Sequence, residues 1–164
     1  MKTRKFTLKH LELKITCLFI LVLLALNCIG DLKIVSGPSM EPAFYGGDLI
    51  LASKDAPAEK LERGVVVIAE IESQKPGKPF PVIKRIAGMP GDAVQVRGGC
   101  LYVNGEKQEG IKEIKNAGIA VDTVFLGPDE YFLLGDNLDD SLDSREFGPV
   151  KKKNIKSIFL HKIL

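Results

Sequence analysis

An uncharged apolar run from Ile15 to Ile29 constrains this chain more than any other feature. It is somewhat shorter than the roughly 20 residues a helix needs to cross hydrocarbon. Leu11 and Leu13 on one side, and Gly30 and Leu32 on the other, can lengthen it, and Lys14 can snorkel. Three readings compete: an uncleaved transmembrane anchor over residues 15–30, a cleaved signal peptide, and a core helix. A core helix would be apolar on all sides. The text that follows the run, N-C-I-G-D, lacks a small-x-small cleavage site. The anchor is therefore the preferred reading. Lys2, Arg4, Lys5, Lys9 and Lys14 stand before the run against Glu12 alone, which places the N-terminus in the cytoplasm and residues 31–164 beyond the membrane.

Those cations also distort the overall charge. The chain carries a formal +2, but residues 1–14 hold +4, so the rest is slightly acidic. Nucleic-acid binding needs clustered cations on the folded part and is not expected. The run Lys151-Lys152-Lys153 reads as a solvated turn. Cys100 is the one cysteine of residues 31–164, so no internal disulfide is expected there, and no spacing matches a metal motif. No metal and no cofactor are expected.

Residues 31–164 read as mainly β. Leu49–Ser53, Gly64–Ile71, Phe80–Ala87, Ala93–Arg97, Cys100–Val103 and Tyr131–Leu134 are short runs rich in branched and aromatic residues, separated by Gly, Pro, Asn and Asp. Arg97-Gly98-Gly99-Cys100 and Val103-Asn104-Gly105-Glu106 are hairpin turns. Ile155–Leu164 reads as a closing strand, and Lys107–Thr123 as an unpatterned excursion. The predicted architecture is a small, partly open, barrel-like β domain behind one N-terminal transmembrane helix.

Histidine is nearly absent. His10 precedes the apolar run and His161 closes the chain, so a Ser-His-Asp triad is not expected. Ser39 stands in V-S-G-P-S-M-E-P, where Gly37, Pro38 and Pro42 bend the backbone. Such a turn can present a hydroxyl and leave neighbouring N–H groups free for an oxyanion. Lys84 stands in P-F-P-V-I-K-R-I-A-G; on a strand it shares a face with Val82 and Ile86. A lysine buried there would have a depressed pKa and could take a proton from serine. The open alternative is that Arg85 faces the core edge and Lys84 faces solvent. A third cluster packs Asp136, Asp139, Asp140, Asp143 and Arg145 into residues 136–145; it lacks the spacing of a calcium loop and reads as an Asp–Arg network stiffening a loop.

Four segments together resemble the type I signal peptidase family: S-G-P-S-M-E-P at 36–42, G-D-L-I at 47–50, K-R-I-A-G-M-P-G-D at 84–92 and G-D-N-L-D-D-S-L-D-S-R-E-F-G at 135–148. The resemblance implies Ser39 as nucleophile, Lys84 as general base and Ser141 as a hydroxyl orienting the lysine. It implies an Asp143–Arg145 ion pair with Asp136 in the same loop, and the Ser39 N–H as an oxyanion donor. Met40 and Phe44 are expected to be exposed beside Ser39 and to meet substrate or membrane. The implied partners are preprotein signal peptides with small residues at positions −3 and −1, and the lipid bilayer. The implied location is the bacterial cytoplasmic membrane, single-pass, with the catalytic domain on the outer face. Gly37 departs from members that carry a serine there, and Leu138 from those that carry an arginine. The ending R-E-F-G-P-V is also similar to peptidases of conjugative transfer systems that mature a pilin. A self-cleaving repressor of related β fold, and a non-enzymatic membrane-tethered β module, are the remaining alternatives. The module reading requires Ser39, Lys84 and Ser141 to lie apart.

Overall fold

The computed structural model describes residues 12–21, 30–72, 78–109 and 121–164. Two units are distinguished, Met1–Asp31 and Leu32–Leu164. In the first, residues 12–21 are helical, with Leu13, Ile15, Leu18, Phe19 and Leu21 all exposed. No helix among the described residues is long and apolar enough to cross a membrane. The anchor expected over residues 15–30 runs through residues 22–29, which lie outside the described residues.

The second unit is built from strands in two sheets. In chain order they are β1 (Asp31–Ile34), β2 (Leu49–Ala52), β3 (Val66–Ile71), β4 (Phe80–Gly88), β5 (Ala93–Arg97), β6 (Cys100–Val103), β7 (Glu106–Lys107), β8 (Val121–Phe125), β9 (Glu130–Leu134), β10 (Val150–Lys151) and β11 (Ile155–Lys162). The larger sheet runs β1-β2-β11-β3-β4-β9-β10 and the smaller β7-β6-β5-β8. Every strand predicted from patterning is present within a residue or two at its ends. The four that patterning missed, β1, β7, β8 and β10, are short or exposed along much of their length, so they carry little apolar signal.

The domain is mainly β with open sheets: the outer strands of the larger one, β1 and β10, stand at opposite ends of the order. The two sheets are layered around β9, whose residues 131–134 are buried on both faces. Tyr131 and Leu133 enter one core cluster with Val67, Ala69, Ile86 and Ile158. Phe132 and Leu134 enter a second with Val94, Val96, Leu101 and Val103 of the smaller sheet. A continuous apolar run is what a strand covered on both sides requires. Gly88 ends β4 where a Cβ would meet Val94 Cγ2 at 2.6 Å and Leu126 Cδ1 at 2.9 Å, so glycine is needed for the sheets to approach.

Both expected hairpin turns form, with positive φ at Gly98 and Gly99 in one and at Asn104 and Gly105 in the other. Two consecutive left-handed residues match the right-handed twist of the flanking strands. β3 and β4 pair antiparallel with Val67 opposite Lys84 and Val66 opposite Arg85. β4 and β9 pair with Arg85 opposite Leu134. Lys84 and Arg85 therefore sit mid-sheet, covered on both edges by neighbouring strands.

Candidate active site

Ser39 lies in the turn that follows β1. Lys84 lies near the middle of β4. The Lys84 Nζ is 2.7 Å from Ser39 Oγ and also donates to the Ile83 carbonyl at 3.0 Å. Lys84 is only 3% exposed. Burial pulls its ammonium down from 10.5 to about 8; the nearby Asp143 and Asp136 carboxylates push back up, and the Arg145 guanidinium adds to the lowering. Desolvation outweighs the two carboxylates because both already have guanidinium partners. The alternative orientation, with Arg85 inward and Lys84 in solvent, is not what forms: the Arg85 side chain is 37% exposed.

Two of the four aspartates of the cluster, Asp136 and Asp143, hold an arginine each. Arg145 Nε donates to Asp143 Oδ1 at 2.8 Å and Arg145 Nη2 to Asp143 Oδ2 at 3.0 Å. The Gly135 N–H adds a bond to Asp143 Oδ2 at 3.1 Å, and Asp143 caps the helical turn Ser144–Phe147 through the Arg145 N–H. Arg145 Nη2 also reaches the Leu138 and Ser141 carbonyls at 2.8 and 3.2 Å. A buried pair this fully hydrogen-bonded avoids most of the desolvation penalty and stiffens residues 135–148. The second pair joins Arg85 Nε and Nη2 to the two oxygens of Asp136 at 2.8 and 2.6 Å. It ties β4 directly to the loop after β9.

Ser141 differs from expectation. Lys84 donates to Ser39 Oγ and the Ile83 carbonyl, while Ser141 Oγ is buried and has no hydrogen-bond partner among the described residues. It sits against Gly135, where an added Cβ would lie 2.2 Å from Ser141 Oγ and 2.5 Å from the Ser39 carbonyl. Ser39 and Ser141 are thus brought to the same glycine, and only the absence of a side chain there permits it.

Met40 and Phe44 are a correction. They were expected to be exposed contacts for substrate or membrane, and they are 0% and 5% exposed. Both belong to a core cluster with Val35, Ile50 and Val66, and Phe44 packs edge-on against Phe159 with ring centroids 4.9 Å apart. The turn has to be anchored from within for Ser39 to hold its place, and these side chains anchor it. Leu138 is likewise buried, in the core between the sheets.

Residues that sequence reasoning passed over also matter. Asn137 donates its backbone N–H to the Ser39 carbonyl at 3.0 Å and its Nδ2 to the Pro38 carbonyl at 3.2 Å. The G-D-N run was visible, but nothing local tells which of its members reaches the serine turn. Arg85 was read as the rival of Lys84, not as the partner of Asp136. A cleft of about 670 Å³ borders this region and is lined by Pro42, Ala43, Arg85, Gly135 and Asp136 among others. Neither Ser39 nor Lys84 lines it, so it is not the centre of the chemistry. His161 lies on β11, exposed, and is not among the partners of Ser39 or Lys84.

A serine hydroxyl lies against a buried lysine, with no histidine among the described residues in contact, and comparison with known proteins shows the family. The model of the family described as signal peptidase, peptidase S26, matches residues 8–159. The chain belongs to this family. As a member it is a serine endopeptidase of the signal peptidase I type. Signal peptidase I of Bacillus licheniformis is 32% identical over 149 residues, covering 83% of this chain and 77% of that protein. Signal peptidase I V of Bacillus subtilis (strain 168) is 33% identical over 139 residues, covering 76% and 80%. Among solved structures, a signal peptidase I from Enterococcus faecalis V583 matches with a TM-score of 0.47 and 27% identity, covering 65% of this chain and 98% of that one.

Proposed function

We propose that this endopeptidase removes signal peptides from exported preproteins with Ser39 as nucleophile and Lys84 as general base. The observation that carries the reading is the 2.7 Å approach of Lys84 Nζ to Ser39 Oγ, made by a lysine that is 3% exposed. With its pKa at about 8, roughly a tenth of Lys84 is neutral at pH 7. In that form the amine lone pair takes the Ser39 proton as Oγ attacks the scissile carbonyl carbon. The oxyanion is met by the Ser39 N–H. Collapse breaks the C–N bond, and the Lys84 ammonium returns the proton to the leaving amine. Lys84 then deprotonates a water that hydrolyses the acyl-enzyme. Ser141 Oγ, buried and unpartnered, takes a hydrogen bond from the ammonium while it exists. The Asp143–Arg145 and Arg85–Asp136 pairs hold the loop and strand that carry these groups.

The substrates in this reading have small residues at −3 and −1. Residues 15–30 form a single-pass anchor in the bacterial cytoplasmic membrane with the catalytic domain on the outer face. The exposed apolar side chains of helical residues 12–21 and the four cations before them support it. About nine residues link Gly30 to Ser39, a reach of at most roughly 30 Å at 3.3–3.6 Å per residue.

The test uses the full chain in lipid vesicles with an inserted preprotein. Ser39→Ala and Lys84→Ala should each lower cleavage by about 10⁴-fold or more, and the double variant should be no worse than either. Appreciable activity in either single variant would sink the dyad. Release of the chain from vesicles by alkaline carbonate would sink the anchor without touching the dyad.

A further inference from the structure

The turn that carries Ser39 is held from one side by a single residue. Asn137 captures two consecutive carbonyls: its backbone N–H binds the Ser39 oxygen at 3.0 Å and its Nδ2 binds the Pro38 oxygen at 3.2 Å. A carbonyl can only accept, so the amide nitrogen of Asn137 must face Pro38. These contacts cross 99 residues of sequence.

Peptide geometry converts these two bonds into an aim. In a trans peptide unit the C=O and the following N–H point in opposite directions. Among the described residues the only cis unit is Glu41–Pro42. Drawing the Pro38 carbonyl toward Asn137 therefore turns the Ser39 N–H away from residues 135–148. Drawing the Ser39 carbonyl does the same for the Met40 N–H. Both peptide planes flanking the nucleophile are fixed by one side chain and one amide. The turn's own bonds, Glu41 N–H to the Pro38 carbonyl at 3.0 Å and Phe44 N–H to the Met40 carbonyl at 2.9 Å, close the coil, and buried Met40 and Phe44 seat it in the core; the Asn137 bonds tie the two carbonyls to residues 135–148. Asn137 is itself held: Asp136 is clamped by Arg85, the Asp140 N–H binds the Asn137 carbonyl at 3.1 Å, and Gly135 allows the close approach.

We infer that Asn137 is a positioning residue that aims the Ser39 N–H at the developing oxyanion, separately from the Ser39–Lys84 proton transfer. The inference rests on the proposed role of Ser39. It differs from a stiffening role because it acts on the transition state and leaves ground-state binding and the lysine titration alone.

The experiment compares the full chain with Asn137→Ala and Asn137→Leu, at a temperature well below the melting midpoint of each. The leucine keeps the size, adds no charge and loses the side-chain donor, so it serves where the alanine variant is too unstable. Steady-state cleavage of a signal-sequence peptide is measured with inhibition by the matching peptide aldehyde, whose tetrahedral adduct with Ser39 carries the oxyanion. Expected are a kcat lower by about 10- to 100-fold, less than the full loss of a donor, with KM within about threefold. Aldehyde affinity should fall by about the same factor as kcat, and the pH midpoint should stay in place. A kcat within about threefold of the parent overturns the inference. So does a lowered kcat with unchanged aldehyde affinity, or a displaced pH midpoint, since either puts the damage at the dyad. A Ser39→Ala control that still cleaves would instead overturn the dyad reading itself.

Discussion

The two faces of β4 carry adjacent cations and treat them in opposite ways. Lys84 points inward, is 3% exposed, and has its pKa pulled down to about 8 by burial. Arg85 points outward, is 37% exposed, and is held above its ordinary range by a bidentate bond to Asp136. A guanidinium keeps its charge and matches a carboxylate with two parallel bonds, so it suits a strut. An ammonium gives up its proton when desolvated, so it suits a base. Exchanging them would remove both the strut and the proposed base. The inward position holds a group that is costly to bury, and such costs are expected where function depends on the burial.

The largest expected effect is on rate. In the proposed mechanism Lys84 must be neutral, so kcat/KM should rise with pH to a plateau above about 8 and fall about tenfold per unit below it, to roughly 1% of the plateau at pH 6. Rates at fixed peptide concentration from pH 6 to 9 test this. A flat profile would show that no lysine titrates in the reaction, and the contrast between the two faces would collapse.

The next effect is on stability. Lys84 has a folded pKa below its unfolded value, so between about 8 and 10.5 the unfolded chain binds the extra proton, and stability climbs with pH across that window. Below pH 8 the burial cost is present in full, about 3 kcal/mol for a displacement of this size. Lys84→Met should therefore be inactive yet more stable than the parent by about 2–3 kcal/mol at pH 7, with the gain shrinking toward pH 10.5. Urea denaturation at pH 7 and pH 10 measures both. A Lys84→Met that is less stable than the parent at pH 7 would mean the lysine is not held at a cost.

The smallest effect belongs to the outward face. Arg85→Met removes a pair that is 37% and 19% exposed, so water screens much of its loss. Stability should fall by about 1 kcal/mol and do so equally at pH 6 and pH 9. A loss above about 3 kcal/mol, read from the same denaturation curves, would show the strut to be as critical as the base.

Much of this was legible beforehand, for reasons that can be named. β2, β3, β4, β5, β6 and β9 announce themselves because a strand facing a core must repeat apolar residues, and Gly98-Gly99 and Asn104-Gly105 because few residues accept two left-handed positions in a row. Ser39 and Lys84 could be named from their settings and from the company of the other motifs. The rest depended on partners far along the chain. Period-two spacing tells that Lys84 shares a face with Val82 and Ile86, but not that this face is covered. Nothing near Met40 or Phe44 tells that β11 brings Phe159 against them, and so both were expected outside when they are inside.

By itself, then, the sequence determined the core-facing strands, the turns, the uneven charge and the residues proposed as nucleophile and base, because each depends on a local rule of backbone or side-chain chemistry. Only the tertiary structure decided which cation is buried, how far its pKa falls, that Asn137 reaches back to Pro38 and Ser39, and that Ser141 keeps a hydroxyl without a partner among the described residues. Those outcomes turn on contacts such as the one from Lys84 to Ser39, 45 residues apart. Desolvation and hydrogen-bond geometry exist only once the chain has closed over them.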